Sequence, residues 1–121
     1  VIKDVERKQW MTARHDGNWT HMDKALKRAE GLLENWMRQH HDKDCYPPTI
    51  INITDGEYNG ATDDEMMQLS NQLKSMFTND GNVLFFNIHV APGHVESVTF
   101  PATPGELNGN GYGERLYNCY R

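Results

Sequence analysis

Two short apolar runs, Thr49-Ile50-Ile51-Asn52-Ile53-Thr54 and Val83-Leu84-Phe85-Phe86-Asn87-Ile88-His89-Val90, constrain this chain more than any other feature. Each is rich in β-branched or aromatic residues, is short for a helix and ends in turn residues: Asp55-Gly56 after the first, Ala91-Pro92-Gly93 after the second. Runs this continuous read as strands buried on both faces, the pattern of parallel rather than half-exposed antiparallel sheets. Between them lies a helical segment. Thr62-Asp63-Asp64-Glu65 has the form of a capping box, and Met66, Met67, Leu69, Leu73, Met76 and Phe77 supply an apolar face before Asn79-Asp80-Gly81-Asn82 ends it. A strand, a helix and a second strand are the unit of a parallel crossover.

A stronger helix precedes this unit. Met22, Ala25, Leu26, Ala29, Leu32, Leu33, Trp36 and Met37 recur at three- and four-residue steps up to His40-His41-Asp42, with Thr20 and Asp23 placed as an N-terminal cap. Glu6 to His15 is a weaker strand candidate, closed by a turn at Asp16-Gly17-Asn18. Val95 to Phe100 suggests a short edge strand limited by Pro101 and Pro104, and Tyr112, Leu116, Tyr117 and Tyr120 lead a last helix. The alternation predicts an α/β fold with a mainly parallel sheet covered on both faces, and such sheets bind ligands beyond the carboxyl ends of their strands.

Composition narrows the function. The 121 residues allow one domain, residues 1–121, and 37% hydrophobic with 24% charged residues are globular proportions. A net charge of -5, with no segment where Lys and Arg gather, argues against nucleic acid. No apolar run reaches the roughly 20 residues of a membrane span. The two cysteines, Cys45 and Cys119, are too few for a disulfide framework, and free thiols with a cytoplasmic location are the expectation. The chain opens on Val1 and closes on an amphipathic run, so both ends look cut from something longer.

The loops carry the candidate chemistry. Asp55 follows a strand directly, so its carboxylate projects into the crevice where open sheets bind ligands. The plainer reading is turn chemistry, with Asp bonding its own backbone and Gly supplying a positive φ. Thr20 places a hydroxyl at the positive end of a helix dipole, and its plainer reading is an N-cap. A hydroxyl and a carboxylate at one end of a sheet are oxygen donors suited to a hard divalent cation.

Pro47-Pro48-Thr49-Ile50-Ile51-Asn52-Ile53-Thr54-Asp55-Gly56-Glu57 resembles the strand and Thr-Asp-Gly loop of von Willebrand factor type A domains, particularly bacterial ones. Asp16-Gly17-Asn18-Trp19-Thr20-His21-Met22 is similar to the family's Gly-Gly-Thr-Pro-Met, and Gly81 to His89 to its next strand. The resemblance implies a Rossmann-like, three-layer α/β/α domain, here its C-terminal portion and incomplete. It also implies a metal-assisted protein-binding function in adhesion or scaffolding rather than an enzyme. In the family, Mg²⁺ or Mn²⁺ sits between an Asp-x-Ser-x-Ser loop, a Thr and an Asp. Thr20 and Asp55 match the last two, a partner's carboxylate would complete the coordination sphere, and Asn18, His21 and Glu57 would form the rim of the partner surface. No Asp-x-Ser-x-Ser occurs in the chain, and Trp19 and His21 stand where the family has Gly and Pro. The absent loop's strand would pair with the strand before Asp55, so an unpaired apolar edge and self-association are expected.

Rival constellations are weaker. Asp55, Glu57, Asn59, Gly60 and Asp63 approach an EF-hand loop, but its twelfth position is Met66. The six histidines show no zinc spacing, and His89, in a strand, reads as a hydrogen-bonded core residue. Gly109-Asn110-Gly111-Tyr112-Gly113 lacks the Lys of a phosphate loop and reads as a connection. A metal-independent scaffold and a small α/β metal-dependent hydrolase using Asp55 are the alternatives to the adhesion-type module.

Overall fold

The computed structural model of the chain describes residues 19–91, 93 and 96–120. The expected strand at Glu6 to His15, the turn at Asp16-Gly17-Asn18 and the rim residue Asn18 lie outside them. Helix α1 spans Met22–His40, strand β1 Thr49–Thr54, helix α2 Asp63–Ser75 and strand β4 Leu84–His89. Strands β2, Phe77–Thr78, and β3, Gly81–Asn82, form a small antiparallel hairpin between α2 and β4. A 3-10 turn at Pro104–Leu107 precedes helix α3, Gly111–Tyr120. No helix among the described residues is long and apolar enough to cross a membrane.

β1 and β4 pair in parallel, from Thr49 opposite Leu84 to Thr54 opposite His89. The predicted crossover is therefore present, and the chain is a mixed α/β protein with a parallel sheet. Side chains alternate across a strand, so Ile50, Asn52 and Thr54 share one face with Phe85, Asn87 and His89. That face meets the helices. Met22 and Leu26 of α1, Met66 and Leu73 of α2, and Leu116, Cys119 and Tyr120 of α3 form the core with Tyr58, and Ile50 and Phe85 pack against it. The Tyr120 ring stacks on Phe85 at 5.1 Å, and its hydroxyl donates to the Met22 sulfur at 3.0 Å. The covered face becomes polar toward the carboxyl end, where Asn52 donates to Asn87 across the strands at 2.8 Å.

The opposite face departs from the expectation of strands buried on both sides. Ile51 and Ile53 are 60% and 65% exposed, and Leu84, Phe86 and Ile88 are between 41% and 48% exposed. The apolar residues of each run are thus shared between a covered and an open face, a distinction invisible when both are apolar.

Helix ends follow local chemistry. Thr62 accepts from the Glu65 amide at 3.2 Å while Glu65 accepts from the Thr62 amide at 2.7 Å, which is the capping box anticipated for α2. Three other expectations are corrected. Thr20 does not cap α1; the cap position is His21, whose carbonyl accepts from Ala25 at 3.2 Å and whose side chain makes no capping bond. The Thr20 carbonyl is instead held by the Asn59 amide at 2.9 Å, which commits it to a contact between loops and delays the helix by a residue. Helix α2 ends at Ser75 rather than running on to Asn79, because Met76 turns to extended φ/ψ and Phe77 enters the hairpin, 71% exposed. Residues 96–99 form no strand, and Phe100 takes a positive φ of 51°. Cys45 and Cys119 are both free thiols.

Candidate functional site

The loop after β1 turns by its own side chains. The Thr54 hydroxyl accepts from the Gly56 amide at 3.1 Å, and Asp55 Oδ1 accepts from the Glu57 amide at 3.1 Å. Gly56 takes φ 85°, a conformation that disfavours any Cβ. Turn chemistry at Asp55-Gly56 is therefore present, while the Asp55 side chain stays exposed at the carboxyl end of the sheet.

Three longer-range contacts fix this loop. His89 Nε2 lies 3.0 Å from the Asp55 carbonyl. Tyr112 in the first turn of α3 packs on Gly56 so closely that a Cβ added there would lie 2.8 Å from its own Cβ. The Tyr112 phenol is pushed up in pKa by a hydrogen bond to Glu57, by that residue's negative charge and then by burial. The start of α3 is stabilised in turn by Asn110, whose side-chain oxygen accepts from the Gly113 amide at 3.0 Å.

The loop before α1 reaches the same end of the sheet but touches a different stretch. Thr20 bonds Asn59, and the His21 ring packs on Gly60, where an added Cβ would lie 2.8 Å from Nδ1. Thr20 and His21 thus meet the loop at Asn59-Gly60, whereas Asp55 and Glu57 face His89 and Tyr112. Asp23, 4.0 Å from His21 Nδ1, has a buried carboxylate oxygen without a hydrogen-bond partner. It lies in a cleft of about 210 Å³ beside Lys27, Gly60 and Glu65.

A second cluster was not anticipated. Tyr58 is buried, and its hydroxyl donates to Asp63 Oδ1 at 2.5 Å. Arg115 donates to the same oxygen through Nε at 2.6 Å, and its guanidinium lies 3.9 Å from the centre of the Tyr58 ring. The Cys119 thiol lies 3.5 Å from the Tyr58 hydroxyl. Burial first, then the bonds to Asp63 and Cys119, push the Tyr58 phenol far above its usual pKa. The Tyr58 hydroxyl and then the Arg115 charge outweigh desolvation and hold the Asp63 carboxyl below its ordinary 3.8. This cluster joins the loop, the start of α2 and α3, and it removes Asp63 from any EF-hand arrangement. Arg115 and Cys119 come from α3, far along the chain from Tyr58 and Asp63, so no local motif pointed to the cluster.

The direction of the Asp63 shift has a testable consequence. A carboxyl bound less tightly by protons in the folded state contributes stability above its unfolded pKa of 3.8, and that contribution is lost as pH falls through the lower folded value. Asp63 is 56% exposed, so solvent screening keeps the effect small. The urea midpoint of the parent chain should fall more steeply between about pH 5 and about pH 2 than that of Asp63→Asn. Parallel curves would show that the pair contributes nothing in solution.

Among the described residues no three His, Cys, Asp or Glu side chains gather as they would around a metal ion. Comparison of the chain with protein-family models, with curated proteins and with solved structures finds no match.

Proposed function

We propose that this chain is part of a protein-binding module of the von Willebrand factor A type, which acts through the loops at the carboxyl end of its parallel sheet with help from Mg²⁺ or Mn²⁺. The observation that carries the reading is the exposed Asp55 carboxylate directly after a parallel strand, on a loop that a hydrogen bond links to the Thr20 loop. In the complete architecture the chain would be the C-terminal two thirds of a three-layer, Rossmann-like domain. Thr20 and Asp55 supply two oxygen donors, a set that fits Mg²⁺ only if water fills most of its shell, as Mg²⁺ commonly allows. A cation held there would keep waters that a partner's carboxylate could replace, with His21 and Glu57 at the rim of that surface.

A second reading, a metal-independent scaffold, has its own support. Asp55 already spends one carboxylate oxygen on Glu57, and Ile51, Ile53, Leu84, Phe86 and Ile88 form an open apolar face of the kind that marks protein contacts. Titration with Mn²⁺, followed by paramagnetic broadening of amide resonances, separates the two. The metal-assisted reading expects broadening centred on Asp55 and Gly56 that Asp55→Ala abolishes and Thr20→Ala reduces in part. Broadening elsewhere, or broadening that survives Asp55→Ala, leaves the scaffold.

A further inference from the structure

We infer that His89 is the positioning residue of the Asp55 loop, the side chain that ties the first turn after β1 to the end of β4 and the start of α3. His89 is the last residue of β4, opposite Thr54, on the face that the helices cover. The final backbone bond between the strands, from the Val90 amide to the Thr54 carbonyl at 2.8 Å, lies beside it. One residue on, the Asp55 carbonyl receives an imidazole instead, with Nε2 at 3.0 Å.

The chemistry of this contact is unambiguous in direction. A carbonyl oxygen only accepts, so Nε2 carries the proton and the neutral ring is the Nε2–H tautomer, with a lone pair on Nδ1. Nδ1 faces Gly113, where an added Cβ would lie 3.3 Å away, so the absence of a side chain at this buried position leaves room for the ring. His89 therefore spans three elements that are separate in sequence.

The loop needs such a tie. Its bonds from Gly56 to Thr54 and from Glu57 to Asp55 each span two residues, so they turn the chain without anchoring it. Tyr112 of α3 holds Gly56 and Glu57, and the Asn59 contact with Thr20 anchors a later part of the loop. At Asp55 itself the long-range bond is the one from His89, and it sets where the carboxylate stands. The structural role of His89 rests on this geometry alone; its consequence for a cation rests on the proposed function.

Two measurements test the inference. Imidazole nitrogen shifts of the parent chain should report Nε2 protonated and Nδ1 not, and the opposite tautomer would overturn it without any substitution. Amide hydrogen exchange at Gly56 and Glu57 should be roughly fivefold faster in His89→Leu, the factor that an ordinary hydrogen bond contributes, with Leu73 exchange as the reference for global stability. His89→Gln, whose amide can donate from near the Nε2 position, should restore slow exchange to within about twofold. Unchanged exchange in His89→Leu, or no rescue by Gln, refutes the positioning role. Mn²⁺ broadening at Asp55 should weaken in His89→Leu and recover in His89→Gln. If the parent chain shows no broadening at all, the proposed function fails while the exchange result still decides the role of His89.

Discussion

Met66→Ala lowers the free energy of unfolding by about 3 kcal/mol, within the range of about 2 to 5 kcal/mol observed when a buried Met, Leu or Ile is truncated. Met66 is fully buried, and it sits in the cluster that joins α1, α2, α3 and the covered face of the sheet. Its removal leaves a void that the surrounding helices cannot close without losing their own contacts. The neighbouring Met67, 40% exposed on the same helix, provides the comparison, and Met67→Ala should cost less than about 1 kcal/mol. Urea unfolding of the two variants checks the pair. Equal losses would mean that the described core is not the one that holds the chain together. Since a domain's whole stability is on the order of 5 to 15 kcal/mol, the Met66 variant should be visibly closer to unfolding at ambient temperature.

Gly56→Ala should cost roughly 2 to 3 kcal/mol, by two separate routes. The positive φ of 85° imposes about 1 to 2 kcal/mol on any residue with a Cβ. The new methyl would then lie 2.8 Å from Tyr112 Cβ and 3.1 Å from the Tyr112 carbonyl, atoms that move only if α3 shifts. Gly109, φ 72°, has nothing within 4 Å of an added Cβ, so Gly109→Ala isolates the backbone contribution at about 1 kcal/mol. The excess of the Gly56 loss over the Gly109 loss measures the contact between the β1 loop and α3. Thermal or urea unfolding that gives the two variants the same loss would show that Tyr112 does not press on the loop. Because the displaced segment carries Glu57 and adjoins His89, the Gly56 variant should also disturb the amide resonances of Glu57.

The elements and their order were legible because local signals coincide with the elements they specify. The three- and four-residue spacing from Met22 to Met37 gave α1, although only Met22 and Leu26 are buried in the core and Leu32 is 59% exposed. An apolar stripe shows that a helix has a face to bury, not how far along its length a neighbour extends. The box of Thr62 and Glu65 placed the start of α2 correctly, since both partners lie within one turn. The same logic misplaced the start of α1, because the Asn59 amide that engages Thr20 lies far along the chain.

The candidate site divides in the same way. The Asx turn at Asp55 and the positive φ of Gly56 are local and were readable from two adjacent residues. His89 was expected to be a hydrogen-bonded core residue; it is hydrogen-bonded but half-buried and outside the core cluster, and its acceptor, the Asp55 carbonyl, is a backbone atom that no residue type announces. The Tyr58, Asp63, Arg115 and Cys119 cluster depends on α3 crossing the start of α2, which no spacing encodes.

Sequence alone therefore determined the strand, helix and strand unit, its parallel sense and the exposed acid at the strand end, because periodicity, capping and turn chemistry act over a few residues. Tertiary structure alone decided which face of the two strands is covered, which residues bind the Thr20 loop and what holds Asp55 in place. Each of those outcomes rests on contacts between segments distant along the chain. Their energies depend on packing geometry, which an apolar residue such as Ile51 or Ile50 does not reveal by its identity.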